Sequence, residues 1–147
     1  MYNEKLEELY NQIKKSRNMV VSTSLQDNVT SRTLSTIFNK GKIYFQTDKN
    51  FITVKQLIEN PNIALCTNNI QITGTAKIIG PTIGQGILEE IYKEIHLGSY
   101  NNYSSLATTV MIEVEIKNTT LWVYRDKIPF LCFYDMVKKE YKEKRYI

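Results

Sequence analysis

The chain has 147 residues, 42% of them hydrophobic and 23% charged, with a formal net charge of +4. That length suits one domain over residues 1–147 with a single continuous core, and the composition excludes a disordered chain. No run approaches the roughly 18 apolar residues that span a bilayer, and the charged opening MYNEKLEELYNQIKK lacks the apolar centre of a signal peptide, so a cytoplasmic protein without a membrane partner is expected.

The basic charge is local. Residues 18–136 carry ten charges of each sign, whereas residues 137–147 contribute +3. Such a distribution reads as a solvated edge strand or tail, not as a groove for nucleic acid. Cys66 and Cys132 stand in apolar, strand-like surroundings without ligand spacing, and are read as buried free thiols. With His96 as the only histidine, no structural zinc set can be assembled, and its place near a helix end reads as surface.

Residues 3–16 repeat Leu6, Leu9, Tyr10 and Ile13 at helical spacing, which predicts an amphipathic helix closed near Asn18. A β-branched strand from Met19 follows, then turn residues 25–28 and a strand from Val29 to Phe38. Asn39-Lys40-Gly41 reads as a hairpin turn into Lys42–Thr47. Asp48 or Asn50 can cap a short helix bearing Phe51, Val54, Leu57 and Ile58, and Pro61 ends it at Asn60. Asn62–Thr67 is a strand, Asn68-Asn69 a turn, and Ile70–Ile79 an alternating strand whose Gly74 marks a bulge or close backbone approach.

Ile83, Ile87, Leu88, Ile91 and Ile95 predict another amphipathic helix, closed near Gly98. The Tyr/Asn-rich segment 99–108 reads as a loop or a helical turn. Strands then follow at Val110–Lys117, Leu121–Arg125 and Phe130–Tyr134, with turns at Asn118-Thr119 and Asp126-Lys127 and a charged strand to Tyr146. Tight turns and clean alternation predict a mainly β protein, an antiparallel barrel with covering helices.

Arg32-Thr33-Leu34-Ser35, the strand Ile43-Tyr44-Phe45-Gln46-Thr47, the helix ending Asn60-Pro61 and the strand IQITGTAKI stand in an order and spacing that resemble the pyridoxamine 5′-phosphate oxidase-like family, the FMN-binding split β-barrels. The resemblance implies a homodimer holding FMN in clefts at the subunit interface. It implies that Arg32, Thr33, Leu34 and Ser35 run beside the flavin, with Arg32 toward the phosphate, and that Gln46 and Thr47 meet flavin and phosphate. Asn69 falls where the family has a ring-bonding Gln, and Trp122 where an aromatic reaches the partner's flavin. Each also has a plain structural reading: an ion-paired Arg32, a strand-ending Thr47, a turn Asn69, a core Trp122.

Two departures stand out. Ile52 and Thr53 occupy the places of a basic pair at the helix head, which leaves Thr53, Lys55 or Lys49 to meet the phosphate. Phe130 and Cys132 stand where true pyridoxamine phosphate oxidases carry a His and an Arg, so vitamin B6 oxidation is not expected. The expectation is a small FMN-dependent oxidoreductase of general-stress type, with a small-molecule substrate or electron donor. The alternative is a flavin- or ligand-binding protein without turnover.

Overall fold

Eight antiparallel strands set the architecture of the computed structural model, which describes residues 1–147: β1 (Asn18–Leu25), β2 (Asn28–Asn39), β3 (Lys42–Asp48), β4 (Asn62–Thr67), β5 (Ile70–Gly80), β6 (Thr109–Arg125), β7 (Ile128–Asp135) and β8 (Glu140–Arg145). Four helices accompany them: α1 (Tyr2–Lys15), α2 (Ile52–Glu59), α3 (Ile87–Ile95) and α4 (Leu97–Tyr103). The strands run in the order β3-β2-β1-β4-β5-β6-β7-β8, and β3 pairs again with β6, which closes the first six into a barrel. β7 and β8 extend from the outer half of β6 as a hairpin, and the basic β8 is the edge strand.

The turns form where the sequence places them. Gln26-Asp27, Lys40-Gly41 and Asp126-Lys127 all have positive φ, the two-residue geometry whose twist matches right-twisted strands. Between them, alternation fills the barrel. Val21, Ile43, Phe45, Ile72, Ile112 and Val114 point inward, and Leu9 and Ile13 of α1 plug one end. Burying each such aliphatic side chain contributes about 1.5–3 kcal/mol. The opposite face of β3 and β6 presents Tyr44 and Met111, which join Ile37 and Tyr92 in a smaller cluster beneath α3.

β6 departs from the sequence reading. Asn118-Thr119 is no turn, because both residues remain paired on both sides, to Thr73 and Ile72 and to Asp135 and Tyr134. The bend is a bulge instead. Register slips between Thr73 and Gly74, and a Cβ on Gly74 would lie 2.0 Å from the Glu115 carbonyl oxygen. The missing side chain lets the two backbones approach while β6 leaves the barrel for the hairpin.

Other expectations shift for local reasons. Ser16, not Asn18, closes α1. α2 is preceded by Phe51 without a side-chain cap, since Asp48 accepts from the Asn50 N–H instead of capping the helix. Phe51 and Ile58 are exposed, and Thr53 and Gln56 take the buried face with Val54 and Leu57. Cys66 is exposed because Ile63 and Leu65 hold the inward positions of β4, whereas Cys132 is buried. His96 is half-buried, its Nε2 2.8 Å from the Thr36 carbonyl oxygen.

Gly74→Ala should destabilise the protein by on the order of 3 kcal/mol, the upper range for overpacking, because backbone must move to admit the methyl. Urea unfolding monitored by circular dichroism checks this, and an unchanged midpoint would mean that β6 yields freely.

Candidate functional site

The barrel is split along β2. Residues 28–35 of β2 pair with β1 on one side, while β3 pairs with β2 only from Thr36↔Phe45 to Asn39↔Lys42. On its other edge β3 pairs with β6 along its whole length, from Lys42↔Glu115 to Asp48↔Thr109. The stretch Thr33–Ser35 therefore offers one strand edge without a neighbouring strand. Facing it across a cavity of about 470 Å³ are Gln46, Thr47 and Asp48, with Phe51 at one side and Ser99, Tyr103 and Leu106 from the α4 segment as cover.

Gln46 fastens that cover. Its Oε1 accepts hydrogen bonds from Thr82 Oγ1 at 2.7 Å and Ser104 Oγ at 2.8 Å, and its Nε2 donates to Ser99 Oγ at 3.3 Å. Ser99 also bonds the Tyr92 hydroxyl at 2.9 Å, and burial pushes the Tyr92 phenol above its ordinary value. A buried carboxamide must have its donors and acceptors met, and here three side chains meet them. Gln46 is a wall and a fastener at once.

Two carboxylates pin the surrounding segments, Asp48 within the cavity lining and Glu89 outside it. Asp48 accepts from the Asn50 N–H and the Thr108 hydroxyl, both at 2.8 Å, and those bonds hold its carboxyl below the ordinary range. Glu89 accepts from the Tyr100 hydroxyl at 2.5 Å and the Gly84 N–H at 2.8 Å, with the same effect. No lysine, arginine or histidine lines this cavity.

The remaining predicted residues lie in two other places. Arg32 points to the opposite face of β2 from Thr33 and Ser35, where its guanidinium donates to Val21 O at 3.2 Å, to Thr23 Oγ1 at 2.9 Å and to Thr30 Oγ1. Gln56 of α2 completes that group, accepting from Thr23 at 2.6 Å and Thr30 at 2.8 Å. Nearby, Thr53 is buried at the head of α2, Lys55 is exposed, and Ile52 is 52% exposed. Asn69 and Trp122 line a separate cavity of about 640 Å³, where the Trp122 N–H of the backbone donates to the Asn69 carbonyl at 3.1 Å. Ser99, Tyr103 and Leu106 were not legible as site residues, since the 99–108 segment has no hydrophobic period and only the packing of α4 over β3 brings them in.

A planar heterocycle suits the split cavity. The free β2 edge can exchange backbone hydrogen bonds with it, as an added strand would, and Leu34, Phe51, Tyr103 and Leu106 supply apolar walls. An anionic tail suits the lining less well, because its cations, Arg32, Lys49 and Lys55, stand outside the cavity. No group of three or more His, Cys, Asp or Glu side chains gathers anywhere in the chain to hold a metal ion.

Both carboxyls titrate below their ordinary values, so the stability they contribute is full above the ordinary carboxylate range and is lost as the pH falls through the lowered values. The stability gap between the wild type and an Asp48→Asn/Glu89→Gln variant should therefore narrow as the pH falls from 6 to 3. Chemical unfolding at a series of pH values measures it, and a constant gap would show that the two carboxylates do not titrate with folding.

No protein-family model matches the sequence, and neither does any curated protein. Solved structures do match the fold. General stress protein 26 from Bacillus anthracis aligns at a TM-score of 0.63 and 18% identity, over 78% of this chain and 91% of that one. A pyridoxamine 5′-phosphate oxidase-related, FMN-binding protein from Nostoc punctiforme aligns at 0.61 and 12% identity, over 98% and 94%. An FAD-binding protein from Mesorhizobium loti aligns at 0.63 and 10% identity, over 77% and 90%. The chain thus has the split β-barrel fold of the pyridoxamine 5′-phosphate oxidase-like proteins.

Proposed function

We propose that this chain is a small FMN-dependent oxidoreductase of the pyridoxamine 5′-phosphate oxidase-like type, working as a cytoplasmic homodimer. The observation that carries the reading is the free edge of β2 at Thr33–Ser35, facing Gln46 and Thr47 across the split. Proteins of this fold from other organisms are described as FMN- or FAD-binding. No helix of the chain is long and apolar enough to cross a membrane.

In this reading the backbone of Thr33, Leu34 and Ser35 pairs with the polar edge of the flavin, and Leu34 and Phe51 pack on its ring. Thr47 adds a hydroxyl. Arg32, Thr53 and Lys55, with Lys49, serve the phosphate, and Asn69 and Trp122 meet the flavin from the partner subunit. Bound flavin supplies hydride and electron transfer. The α4 cover, pinned by Gln46, excludes water from one side. Exposed apolar side chains at Phe51, Ile52, Tyr103 and Leu106, beside the split, support an interface there.

A second reading, flavin held without turnover, is favoured by the lining itself. Asp48 is the only carboxylate in the cavity, two hydrogen bonds keep it ionised, and His96 is spent on Thr36.

Freshly purified protein should be yellow, with flavin absorption that a reduced donor bleaches and a mass of two chains by sedimentation. Colourless protein that fails to bind added FMN overturns both readings, and coloured protein that no donor bleaches favours the second. Lys55→Ala should weaken FMN about tenfold or more, the worth of one charge-assisted contact, and leave riboflavin unaffected. Equal losses for the two ligands in a fluorescence titration would place Lys55 away from the phosphate.

A further inference from the structure

Gln46, Tyr92 and Ser99 meet at one wall of the split cavity, and between them they leave one hydroxyl proton without an acceptor. The carboxamide is oriented by a carbonyl. The Ser99 carbonyl oxygen lies 3.5 Å from Gln46 Nε2, and a carbonyl only accepts, so the NH2 end of Gln46 faces Ser99. Oε1 is left to the hydroxyls of Thr82 and Ser104, whose protons are both spent there.

The Tyr92 hydroxyl and Ser99 Oγ share one hydrogen bond, at 2.9 Å. Burial sets its direction. Tyr92 is 1% exposed, and its hydroxyl has no other acceptor in the chain. Were Ser99 the donor, the Tyr92 proton would be buried and unmet, the costlier arrangement. Tyr92 therefore donates to Ser99. Burial also pushes its phenol above the ordinary value, which keeps that proton in place.

Ser99 Oγ then accepts twice, from Tyr92 and from Gln46 Nε2 at 3.3 Å. A hydroxyl oxygen has two lone pairs, and both are filled. What remains is its own O–H, which no group of the chain accepts, on a side chain half-buried in the cavity wall. The two filled lone pairs hold that O–H in one direction. Thr33, Ser35 and Thr47 also line the cavity, but nothing holds their hydroxyls, which can turn. A donor fixed in advance favours binding because little freedom is left to lose, and a ligand without an acceptor there leaves it unmet.

We propose that Ser99 reads the ring held in the split by donating to a carbonyl oxygen or an unprotonated ring nitrogen, with Tyr92 as its positioning residue. An amino group or ring N–H at that place is refused, because Ser99 has no lone pair to offer it. The proposal rests on the flavin reading, and it adds a contact from the α4 cover to those of the β2 edge. Oxidised flavin carries such acceptors along its ring.

Fluorescence titrations with riboflavin and with FMN test it, since the two share the ring and differ in the phosphate. Ser99→Ala should weaken both by the same factor, about tenfold, the worth of one hydrogen bond. Ser99→Thr, which keeps the hydroxyl, should restore the affinity. Tyr92→Phe should lose less than Ser99→Ala, because Ser99 keeps its proton. The visible band of bound riboflavin, which moves with hydrogen bonding to the ring, should coincide in the wild type and Ser99→Thr and be displaced in Ser99→Ala. Wild-type affinity and band in Ser99→Ala, a loss confined to FMN, no recovery in Ser99→Thr, or a larger loss in Tyr92→Phe overturns the proposal and leaves the flavin reading standing. A wild type that binds neither flavin sinks both.

Discussion

The molecule turns on where β3 parts from β2. β2 is twelve residues long, and β3, with seven, pairs with β6 along its whole length. It follows β2 for four residues and then stays with β6. Closing the barrel through that pairing leaves the first half of β2 with a free edge, since no strand remains to cover it. An unpaired edge is a liability unless something shields it. Here α2 covers one end through Gln56, which donates to the Asn28 carbonyl at 3.2 Å, and the α4 segment covers the cavity at the other. The candidate site is the gap between those two covers.

Polar groups hold the covers down together with the apolar packing of α3 and of Val54 and Leu57 in α2. The Gln46 bonds reach Thr82, Ser99 and Ser104, and the Gln56 bonds reach Thr23, Thr30 and Asn28. Each glutamine is buried and each has its carboxamide met on both sides. Removing one partner from such a set leaves others unsatisfied, at about 1–3 kcal/mol each. That makes the lid over the split a matter of geometry, and it ties α3 and α4 to the same residue that walls the cavity. Arg32 belongs to the other set, with its guanidinium engaged between β1 and β2.

Charge separates the two cavities. The split holds Asp48 and no cation, whereas the cavity by Trp122 holds Lys15 and Arg17 and no acid. A net charge of +4, of which the last eleven residues carry +3, conveys nothing of this contrast. It arises because α1 ends, and β1 begins, beside the outer half of β6, far along the chain from Trp122.

The strands, their tight turns and the Gly74 irregularity were legible in the sequence because each rests on local rules: alternation of apolar residues, positive φ in two-residue turns, a missing Cβ at a close approach. The family resemblance rested on Arg32–Ser35, Gln46-Thr47 and Asn60-Pro61 and pointed to the right fold. It could not tell which face of β2 each side chain takes relative to the split, and so it grouped Arg32 with Thr33 and Ser35. Nor could local pattern show that Asn118-Thr119 stays in the sheet, that Phe51 and Ile52 lie open at the helix head, or that residues 99–106 cover a cavity. Those outcomes depend on where β3 parts from β2 and on what packs over the gap. By itself the sequence determined the strands and the barrel they form; tertiary structure decided where the barrel parts, because a free edge exists only where one strand leaves a neighbour while it stays with another.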